Sequence, residues 1–374
     1  MDGSTFFVVL TQTIYKKLKK MTKTHNLLTL ALGAMILFAA CGKEDDKPST
    51  PTDPAPDGEK KLEYWEQLDY ATDGTSTWGA FFYYKFSWDN GLLKKVESFN
   101  DDGQSESSRE IIYENGKAKE IREYEASGEL RCAYTLLYTG DRVTGAVRSN
   151  GGEVTNSYNA AGELVKQTLT YNDGDGTYTT YLTWENGNVV EVREIHNYDS
   201  RTSTYAYTYT YDNKINPLRS AMSTLVYASQ SASEWLSKNN VISETRIDNA
   251  GEQSVRHSTY TYGGDYPTSM TQEWTDDNWS YKDCSYFRYT DGSGMSISSQ
   301  VCRIRIETGS EDRPYGGGEY LRGDTVIIRA DPEYDNEGTH YTFSHWNDGN
   351  TDNPRTFVAT TDMTFQPVYV PAGE

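Results

Sequence analysis

An aromatic residue followed by a tight turn recurs along the middle of the chain and constrains its fold more than any other feature. The pattern reads Trp88-Asp89-Asn90-Gly91, Tyr113-Glu114-Asn115-Gly116 and Trp184-Glu185-Asn186-Gly187, with weaker copies at residues 138–141 and 211–214. Asn-Gly favours a type I′ hairpin turn, because both central residues of that turn need a positive φ. Positions 88, 113 and 138 are 25 residues apart, a spacing that fits two strands and two turns. The sequence therefore predicts an up-and-down antiparallel meander.

The residues between the turns alternate as strand residues do. From residue 205 to residue 211, tyrosine occupies every second position, and alanine or threonine occupies the positions between. Because strand side chains point alternately to opposite faces, this segment has one aromatic face and one small, polar face. The chain contains 30 tyrosines, and aromatic residues suit a half-buried pleated surface. We therefore predict an all-β protein in which each strand buries one face.

The charge of the chain excludes several classes of protein. Its 374 residues carry a formal net charge of -20, from 55 acidic and 35 basic side chains. A nucleic-acid-binding protein is expected to be basic, so we predict no nucleic-acid partner. Four cysteines are too few for a disulfide scaffold. The sequence leaves open whether Cys284 and Cys302 form a disulfide or remain thiols.

The N-terminal residues have the pattern of an export signal. A lysine-rich stretch at residues 16–23 precedes an apolar run at residues 27–40, which is short for a membrane span. The run ends in Ala39-Ala40-Cys41, which resembles a bacterial lipobox. The resemblance implies a lipoprotein signal peptide at residues 1–40 and a lipidated Cys41; a plain secretory peptide is the alternative. Several acyl chains would hold the protein stably on a membrane.

Residues 41–60 have the composition of an acidic, proline-rich tether. The segment Lys43-Glu44-Asp45-Asp46 resembles the surface-export signal of Bacteroidota lipoproteins, and a plain solvated spacer is the alternative. Together with Cys41, this segment predicts a protein that is lipid-anchored in the outer membrane and exposed at the cell surface.

The repeats of residues 61–290 also resemble known families. Tyr158-Asn159-Ala160-Ala161-Gly162 is similar to the YD repeats of bacterial surface and toxin proteins. The Tyr-rich meander, residues 211–217 and residues 237–240 resemble a family of Bacteroidota lipoproteins that is described as having a porin-like fold. That resemblance implies a meander curled into a barrel, and it implies no known activity.

Charged residues within the strands bear on where such a barrel would lie. The segment 117–124 places Glu120 and Arg122 on one face, and Lys117 and Lys119 on the other. A lysine or arginine on the lipid face at the membrane midplane costs about 2–4 kcal/mol. We therefore predict a soluble barrel or curved sheet.

Residues 216–240 interrupt the strand pattern. Leu218, Met222 and Val226 are spaced four apart, which predicts a short helical insertion. Two positions for this insertion are compatible with the sequence. It either plugs or covers an open end of the meander, or it forms an excursion on the outer surface.

A second domain follows a Gly/Ser-rich linker at residues 291–300. Residues 316–320, 323–326, 343–346, 348–354 and 362–365 form an ordered set of short motifs that resembles the divergent internalin-type B-repeat. The resemblance covers residues 301–374 and implies a small β-grasp-like domain that serves as a spacer or contact module.

Aromatic residues are the candidate ligand contacts, because an aromatic ring can stack on the apolar face of a sugar. The four candidates are Trp235, Trp274, Trp279 and Trp346. Core or edge packing in a tyrosine-rich sheet is the alternative for each of them. The leading functional hypothesis is a surface-anchored, non-enzymatic binding or adhesive lipoprotein whose partner is a glycan or another surface protein. A glycan-binding accessory protein of polysaccharide uptake is the second hypothesis.

The signals for catalysis and for metal binding are weak. The sequence lacks the common hydrolase, zinc-protease and phosphate-loop motifs, so we predict no enzyme and no cofactor. Asp348, Asn350 and Asp352 have the spacing of calcium ligands, but turn preference explains them equally well. A hydrolase with paired carboxylates is the third hypothesis, and it requires two acids in one cleft.

Overall fold

The computed structural model describes residues 60–74, 77–171, 176–198, 201–229, 233–276, 279–307, 316–336 and 338–372. The predicted signal peptide, Cys41 and residues 41–59 of the predicted tether lie outside these ranges. Within these ranges, none of the helices has the length and apolar character that crossing a bilayer requires.

Sixteen strands of the described residues pair in chain order, and the first also pairs with the last, so the meander closes into an antiparallel barrel. The wall strands are β1 (Leu62–Thr72), β2 (Thr77–Asp89), β3 (Leu92–Asn100), β4 (Ser105–Glu114), β5 (Lys117–Glu125), β6 (Leu130–Thr139), β7 (Arg142–Arg148), β8 (Glu153–Tyr158), β9 (Leu164–Thr170), β10 (Gly176–Glu185), β11 (Asn188–Tyr198), β12 (Arg201–Ile215), β13 (Asn239–Asp248), β14 (Gln253–Gly263), β15 (Tyr266–Asp276) and β16 (Trp279–Tyr289). The predicted all-β meander is confirmed, and of the two predicted forms the barrel is the one observed.

The predicted Asn-Gly turns all lie at one end of the barrel, here named the Asn–Gly end. Asn90, Asn115 and Asn186 have φ values of 50°, 51° and 52°, and the glycine that follows each also has a positive φ. Both central residues are therefore in the left-handed region, as a type I′ turn requires. The turn prediction is confirmed at all three positions.

An aromatic ring near the C-terminal end of every second wall strand donates a hydrogen bond to the backbone of the preceding strand. Each acceptor is a carbonyl at or near the start of that strand, at 2.5–3.0 Å. The eight donor–acceptor pairs are Trp88–Leu62, Tyr113–Leu93, Tyr138–Ala118, Tyr158–Val143, Trp184–Leu164, Tyr211–Val189, Tyr260–Val241 and Tyr289–Pro267. Tyrosine and tryptophan combine a large apolar ring with a polar donor, whereas phenylalanine lacks the donor. This requirement explains why the repeat uses tyrosine or tryptophan.

Helix α1 (Pro217–Ser229) lies inside the barrel. Five of its apolar side chains are at most 1% exposed: Ala221, Met222, Leu225, Val226 and Ala228. Two amides on the inner wall bind the last turn of the helix: Asn156 donates to the Tyr227 carbonyl and Gln167 to the Val226 carbonyl, both at 3.0 Å. These bonds satisfy carbonyl groups that a helix end leaves without an intrahelical partner.

The chain then returns to the Asn–Gly end through a 3₁₀ turn, Ser233–Leu236. The Lys238 amide donates to the Gly187 carbonyl there, at 3.1 Å. The helical insertion therefore plugs the barrel, which decides between the two positions that the sequence allowed.

The C-terminal residues form a second apolar core against the outer wall. Their strands are β17 (Val301–Ile306), β18 (Gly318–Leu321), β19 (Thr325–Ile328), β20 (Glu333–Asn336), β21 (Thr339–Trp346), β22 (Arg355–Val358), β23 (Met363–Phe365) and β24 (Pro367–Pro371). The Tyr70 hydroxyl on β1 donates to Asp324 at 2.5 Å, and the Tyr320 hydroxyl on β18 donates to the Thr77 carbonyl at 2.9 Å. The predicted linker also contacts the wall, because Glu66 accepts a hydrogen bond from the Ile297 amide at 2.6 Å.

The cysteines of the described residues, Cys132, Cys284 and Cys302, are buried free thiols. Cys284 packs beside Leu68 on the outer side of the barrel, whereas Cys302 lies in the core of the C-terminal domain. Of the two possibilities that the sequence left open for Cys284 and Cys302, the structure has the thiols.

A candidate ligand-binding cavity in the barrel lumen

A cavity of about 470 Å³ remains in the lumen beside the helical insertion. Its walls are the inner faces of β1–β4 on one side and β13–β16 on the other, and the start of α1 and the 3₁₀ turn close it towards the Asn–Gly end. Small-molecule sites in proteins typically measure roughly 300–1,000 Å³. The cavity therefore has the size of a site for a small ligand.

The cavity is lined by seven carboxyl groups and two guanidinium groups. The acids are Asp69, Asp101, Glu106, Glu234, Glu244, Asp283 and Glu319, and the bases are Arg109 and Arg256. Arg109 already forms a salt bridge with Glu123, with Nε 2.6 Å from Oε1. The lining therefore carries a strong excess of negative charge.

Two of these acids, Asp69 and Asp283, lie directly opposite each other where β1 and β16 close the barrel. Both carboxyl groups line the same cavity at directly paired positions of the two strands. Burial, with repulsion from Asp283, holds the pKa of Asp69 well above its usual range, and burial raises the pKa of Asp283 to about 6. Such a pair shares a proton near neutral pH, because two adjacent buried carboxylates repel each other.

One oxygen of this pair lacks a hydrogen-bond donor. Within the described part of the chain, Oδ1 of Asp69 is buried without a hydrogen-bond partner. The Arg256 guanidinium on β14 lowers the pKa of both acids, but it does so less than burial raises them. The pair therefore keeps capacity to accept a hydrogen bond from a ligand.

A second acid group comes from the helical insertion. Glu234 lies on the 3₁₀ turn and lines the cavity together with Glu244 of β13. Burial raises the pKa of Glu234 to about 7, and repulsion from Glu244 adds to that shift. The helical insertion therefore contributes a carboxyl group to the lumen as well as apolar side chains.

Aromatic rings form part of the cavity wall. Trp65 lies edge-on to Trp235 with ring centroids 6.2 Å apart, and its centroid is 5.2 Å from that of Tyr84. The Trp65 indole donates to the Ser285 hydroxyl at 3.0 Å, which holds the ring in place. The site thus combines hydrogen-bond acceptors with preorganised aromatic surfaces.

The C-terminal domain contributes one acid at the end of the barrel opposite the Asn–Gly turns. Arg303 binds Asp101, Asp102 and Glu319 there; the Asp102 and Glu319 contacts measure 2.8 Å and 3.0 Å. Burial first, and a hydrogen bond with Asp101 second, raise the pKa of Glu319 to about 7. The C-terminal domain is thereby tied to the edge of the cavity.

The four predicted ligand-stacking tryptophans occupy different places. Trp235 lines the cavity and is 8% exposed, whereas Trp274 is half-buried and stacks on Tyr281 at 5.0 Å. Trp346 is 0% exposed in the core of the C-terminal domain, so its ring has no accessible face, which corrects the expectation that it stacks on a ligand. The side chain of Trp279 lies outside the described part of the structure.

The predicted calcium loop is held by its own side chains. Asp348 binds Arg355 through two contacts of 2.8 and 2.9 Å, and it accepts a bond from the Asn350 amide at 3.2 Å. Asn350 accepts a bond from the Asp352 amide at 2.8 Å, as turn-forming residues do. In the ranges that the structure describes, there is no cluster of three His, Cys, Asp or Glu side chains that suits a metal ion.

Sequence reasoning missed the carboxyl pair of the cavity. The available signal was the order Trp65, Gln67, Asp69 at alternate positions of one strand, which places an acid on the face of a buried tryptophan. Its partner Asp283 lies on the last wall strand, so only closure of the barrel reveals the pairing.

Comparison with known proteins bears on the fold alone. No protein-family model matches the chain, and no curated protein matches it. A solved porin-like protein from Bacteroides uniformis is similar over 61% of this chain and 97% of its own, with 15% identity and a TM-score of 0.41. Another from Bacteroides vulgatus is similar over 61% of this chain and 99% of its own, with 12% identity and a TM-score of 0.30. Similarity at this level says nothing about a ligand or an activity.

Proposed function

We propose that this chain is a non-catalytic lipoprotein, held at the outer membrane by a lipid on Cys41, that binds a ligand at the cell surface. The observation that carries this proposal is the lumenal cavity, which has the size of a small-molecule site and holds buried acids with raised pKa values. The lipobox at Cys41 and the acidic segment after it support the location.

The outer wall of the barrel supports a position in water, at the end of the tether. Glu120 and Arg122 form an ion pair on the outer face of β5, with Nε and Oε1 2.7 Å apart. Lys95 and Glu97 form another on β3, also at 2.7 Å. Since charged groups on a lipid-facing wall are costly, these pairs favour a barrel that stands clear of the bilayer.

The geometry of the carboxyl pair favours binding over hydrolysis. In glycoside hydrolases the two catalytic carboxyl groups stand roughly 5–9.5 Å apart, which leaves room for the sugar carbon or a water. Asp69 and Asp283 are directly opposed on adjacent strands, so their side chains project side by side with Cβ atoms about 4.5–5.5 Å apart, and they do not flank a space for a reacting group. This observation supports a binding protein rather than the hydrolase considered from the sequence.

A glycan-binding accessory protein of polysaccharide uptake is the second candidate. The observation that favours it is that Trp65, Tyr84 and Trp235 line the same cavity as the acids. Aromatic rings stack on sugars, and carboxylates accept hydrogen bonds from their hydroxyl groups.

The anchor is tested by fractionation and by protease shaving of intact cells. Cys41→Ser is expected to move the protein from the membrane fraction to the soluble fraction. Replacing Glu44, Asp45 and Asp46 with alanine is the matched control for surface export, since it keeps the lipid but is expected to protect the protein from shaving. A Cys41→Ser protein that remains in the outer membrane would contradict the proposal.

The binding site is tested by filling the cavity. Ala80→Phe adds a ring to a small residue of the inner wall, and Thr259→Trp adds one to an exposed position of β14 as a control. A library of small solutes is screened by thermal shift against the full-length protein in detergent. We expect ligands of the unmodified protein and the control to lose their effect on Ala80→Phe. A library without a single such ligand would count against a lumenal site.

A further inference from the structure

The charge balance of the cavity indicates what kind of ligand it takes. Of the two guanidinium groups in the lining, Arg109 is neutralised by Glu123. Asp101 and Glu319 are paired with Arg303, which leaves Arg256 to face the other five carboxyl groups. Each buried carboxylate is costly without a counter-charge. The remaining acids of the lumen therefore outnumber their counter-charge.

The acid pair of the cavity has a corresponding excess of hydrogen-bond acceptors. The buried Oδ1 of Asp69 has no hydrogen-bond partner within the described residues, and the carboxylates around it can only accept when ionised. A primary alkylammonium group offers three donors, no acceptor and a positive charge, so it matches these acids. The missing element is thus a donor with positive charge.

The aromatic rings suit a cation better than a flat sugar. Trp65 packs perpendicular to Trp235 and is contacted by Tyr84 and Phe287, at centroid distances of 6.2, 5.2 and 6.5 Å. Rings packed in this way do not form an open stacking platform. They still present electron-rich faces beside the acids, and such faces attract a cation.

We propose that the lumenal cavity binds a small organic cation, a primary amine or alkylammonium, whose positive charge is neutralised by the Asp69–Asp283 pair with support from Glu234 and Glu244. This inference rests on the proposed function, since it names the ligand class of the same site. The acidic surface of the whole protein, with a net charge of -20, also attracts cations towards it.

The proposal predicts a pH dependence with a defined sign. The charged groups that face the acids are Asp69, Asp283, Glu194, Glu234, Glu244 and Arg256. Burial raises the pKa of Asp283 to about 6, and burial together with repulsion from Glu244 raises that of Glu234 to about 7, so both are partly protonated at neutral pH. A cation binds the ionised form, so binding releases protons and becomes tighter as the pH rises from 5 to 8.

The test is isothermal titration calorimetry of the full-length protein in detergent with two probes, 1,5-diaminopentane and butylamine. The neutral diol 1,5-pentanediol is the control of matching shape. We expect at least one cation to bind, about tenfold more weakly at pH 5.5 than at pH 7.5, and the diol to give no heat of binding. Proton release is measured by repeating the titration in buffers of different ionisation enthalpy.

Variants link the binding to the acid pair. Asp69→Asn and Asp283→Asn are each expected to weaken cation binding at least about tenfold, while Glu129→Gln, at an exposed turn, leaves it unchanged. Far-UV circular dichroism and the urea midpoint show that both variants fold. If either asparagine variant binds the cation as tightly as the unmodified protein, the assigned site is wrong.

The outcomes separate this inference from the proposed function. Failure of both cations, together with a neutral sugar that binds and is lost in Ala80→Phe, would overturn the cation and keep the lumenal binding protein. Failure of the cations and of every solute in the library would overturn both.

Discussion

The two sides of the barrel lumen are built from the same kind of hairpin but are filled differently. On the side of β5, β7 and β8, helix α1 packs apolar residues against the wall and its last carbonyls bind wall amides. On the side of β1–β4 and β13–β16, the wall instead carries acids around a cavity. The packed side has what a stable core needs, whereas the acids of the open side repel each other. Residues that oppose stability in this way are expected where a protein binds something.

The largest effect is expected on the packed side. Leu225 is 0% exposed against the wall, so Leu225→Ala is expected to lower the free energy of unfolding by about 2–5 kcal/mol. Urea denaturation followed by circular dichroism measures the loss. Leu130→Ala, at a residue that is 48% exposed, is the control and should change it by less than about 0.5 kcal/mol. Equal effects of the two variants would mean that the helix does not form part of the core.

A smaller loss is expected where the wall holds the helix end. Gln167 donates both to the Val226 carbonyl and to Asn156, so Gln167→Ala leaves two buried acceptors short of a donor. The expected cost is about 1–3 kcal/mol. Hydrogen exchange provides the sharper measurement, because the amides of α1 should exchange faster while those of β14–β16 keep their protection. Equally faster amide exchange in α1 and in β14–β16 would contradict the proposal that Gln167 stabilises the helix end locally.

On the cavity side, removal of an acid is expected to raise the free energy of unfolding rather than lower it. Asp283→Asn removes a carboxyl group whose pKa is raised to about 6 by burial, so at pH 7 it is expected to stabilise the fold by about 1–2 kcal/mol. The sign follows from linkage: a raised pKa in the folded state means that stability is full below the ordinary pKa of an aspartate and falls as the pH rises towards 6.

The dependence of stability on pH shows whether the stabilisation comes from the titration of Asp283. The unmodified protein should lose stability between about pH 4 and pH 7, and Asp283→Asn should flatten that slope. Urea midpoints at four pH values measure it. Asp141→Asn, at an exposed turn where Lys117 lowers the pKa of the carboxyl group, should not flatten the slope. A slope that Asp283→Asn leaves unchanged would place the titrating group elsewhere.

The smallest change in stability is expected when one of the eight hydrogen bonds from an aromatic side chain to the backbone is removed. Tyr138→Phe keeps the ring but removes its 2.6 Å bond to the Ala118 carbonyl, which should cost about 0.5–1.5 kcal/mol. Tyr181→Phe, at a tyrosine that is 41% exposed, is the matched control. Thermal unfolding measures both. A Tyr138→Phe protein as stable as the control would show that the repeat needs the ring alone.

The sequence predicted those features of the fold that depend on neighbouring residues in the chain. Asn90, Asn115 and Asn186 specify their turns through the φ values of two adjacent residues, and the alternation at residues 205–211 specifies a strand face. The spacing of Met222 and Val226 predicted a helix, but the same spacing suits a surface helix. The candidate site was not predictable, since Asp69 and Asp283 look like two of many acids until their strands meet.

The hairpins, their turn types, the all-β class and the repeated aromatic positions follow from the amino-acid sequence, because each depends on residues close together in the chain. The tertiary structure alone decided that β16 returns to β1, that α1 lies inside the barrel, and that the acids of distant strands face one cavity. Those features depend on contacts between residues far apart in the chain. The alternation of apolar and polar residues within one strand does not specify which strand lies beside it.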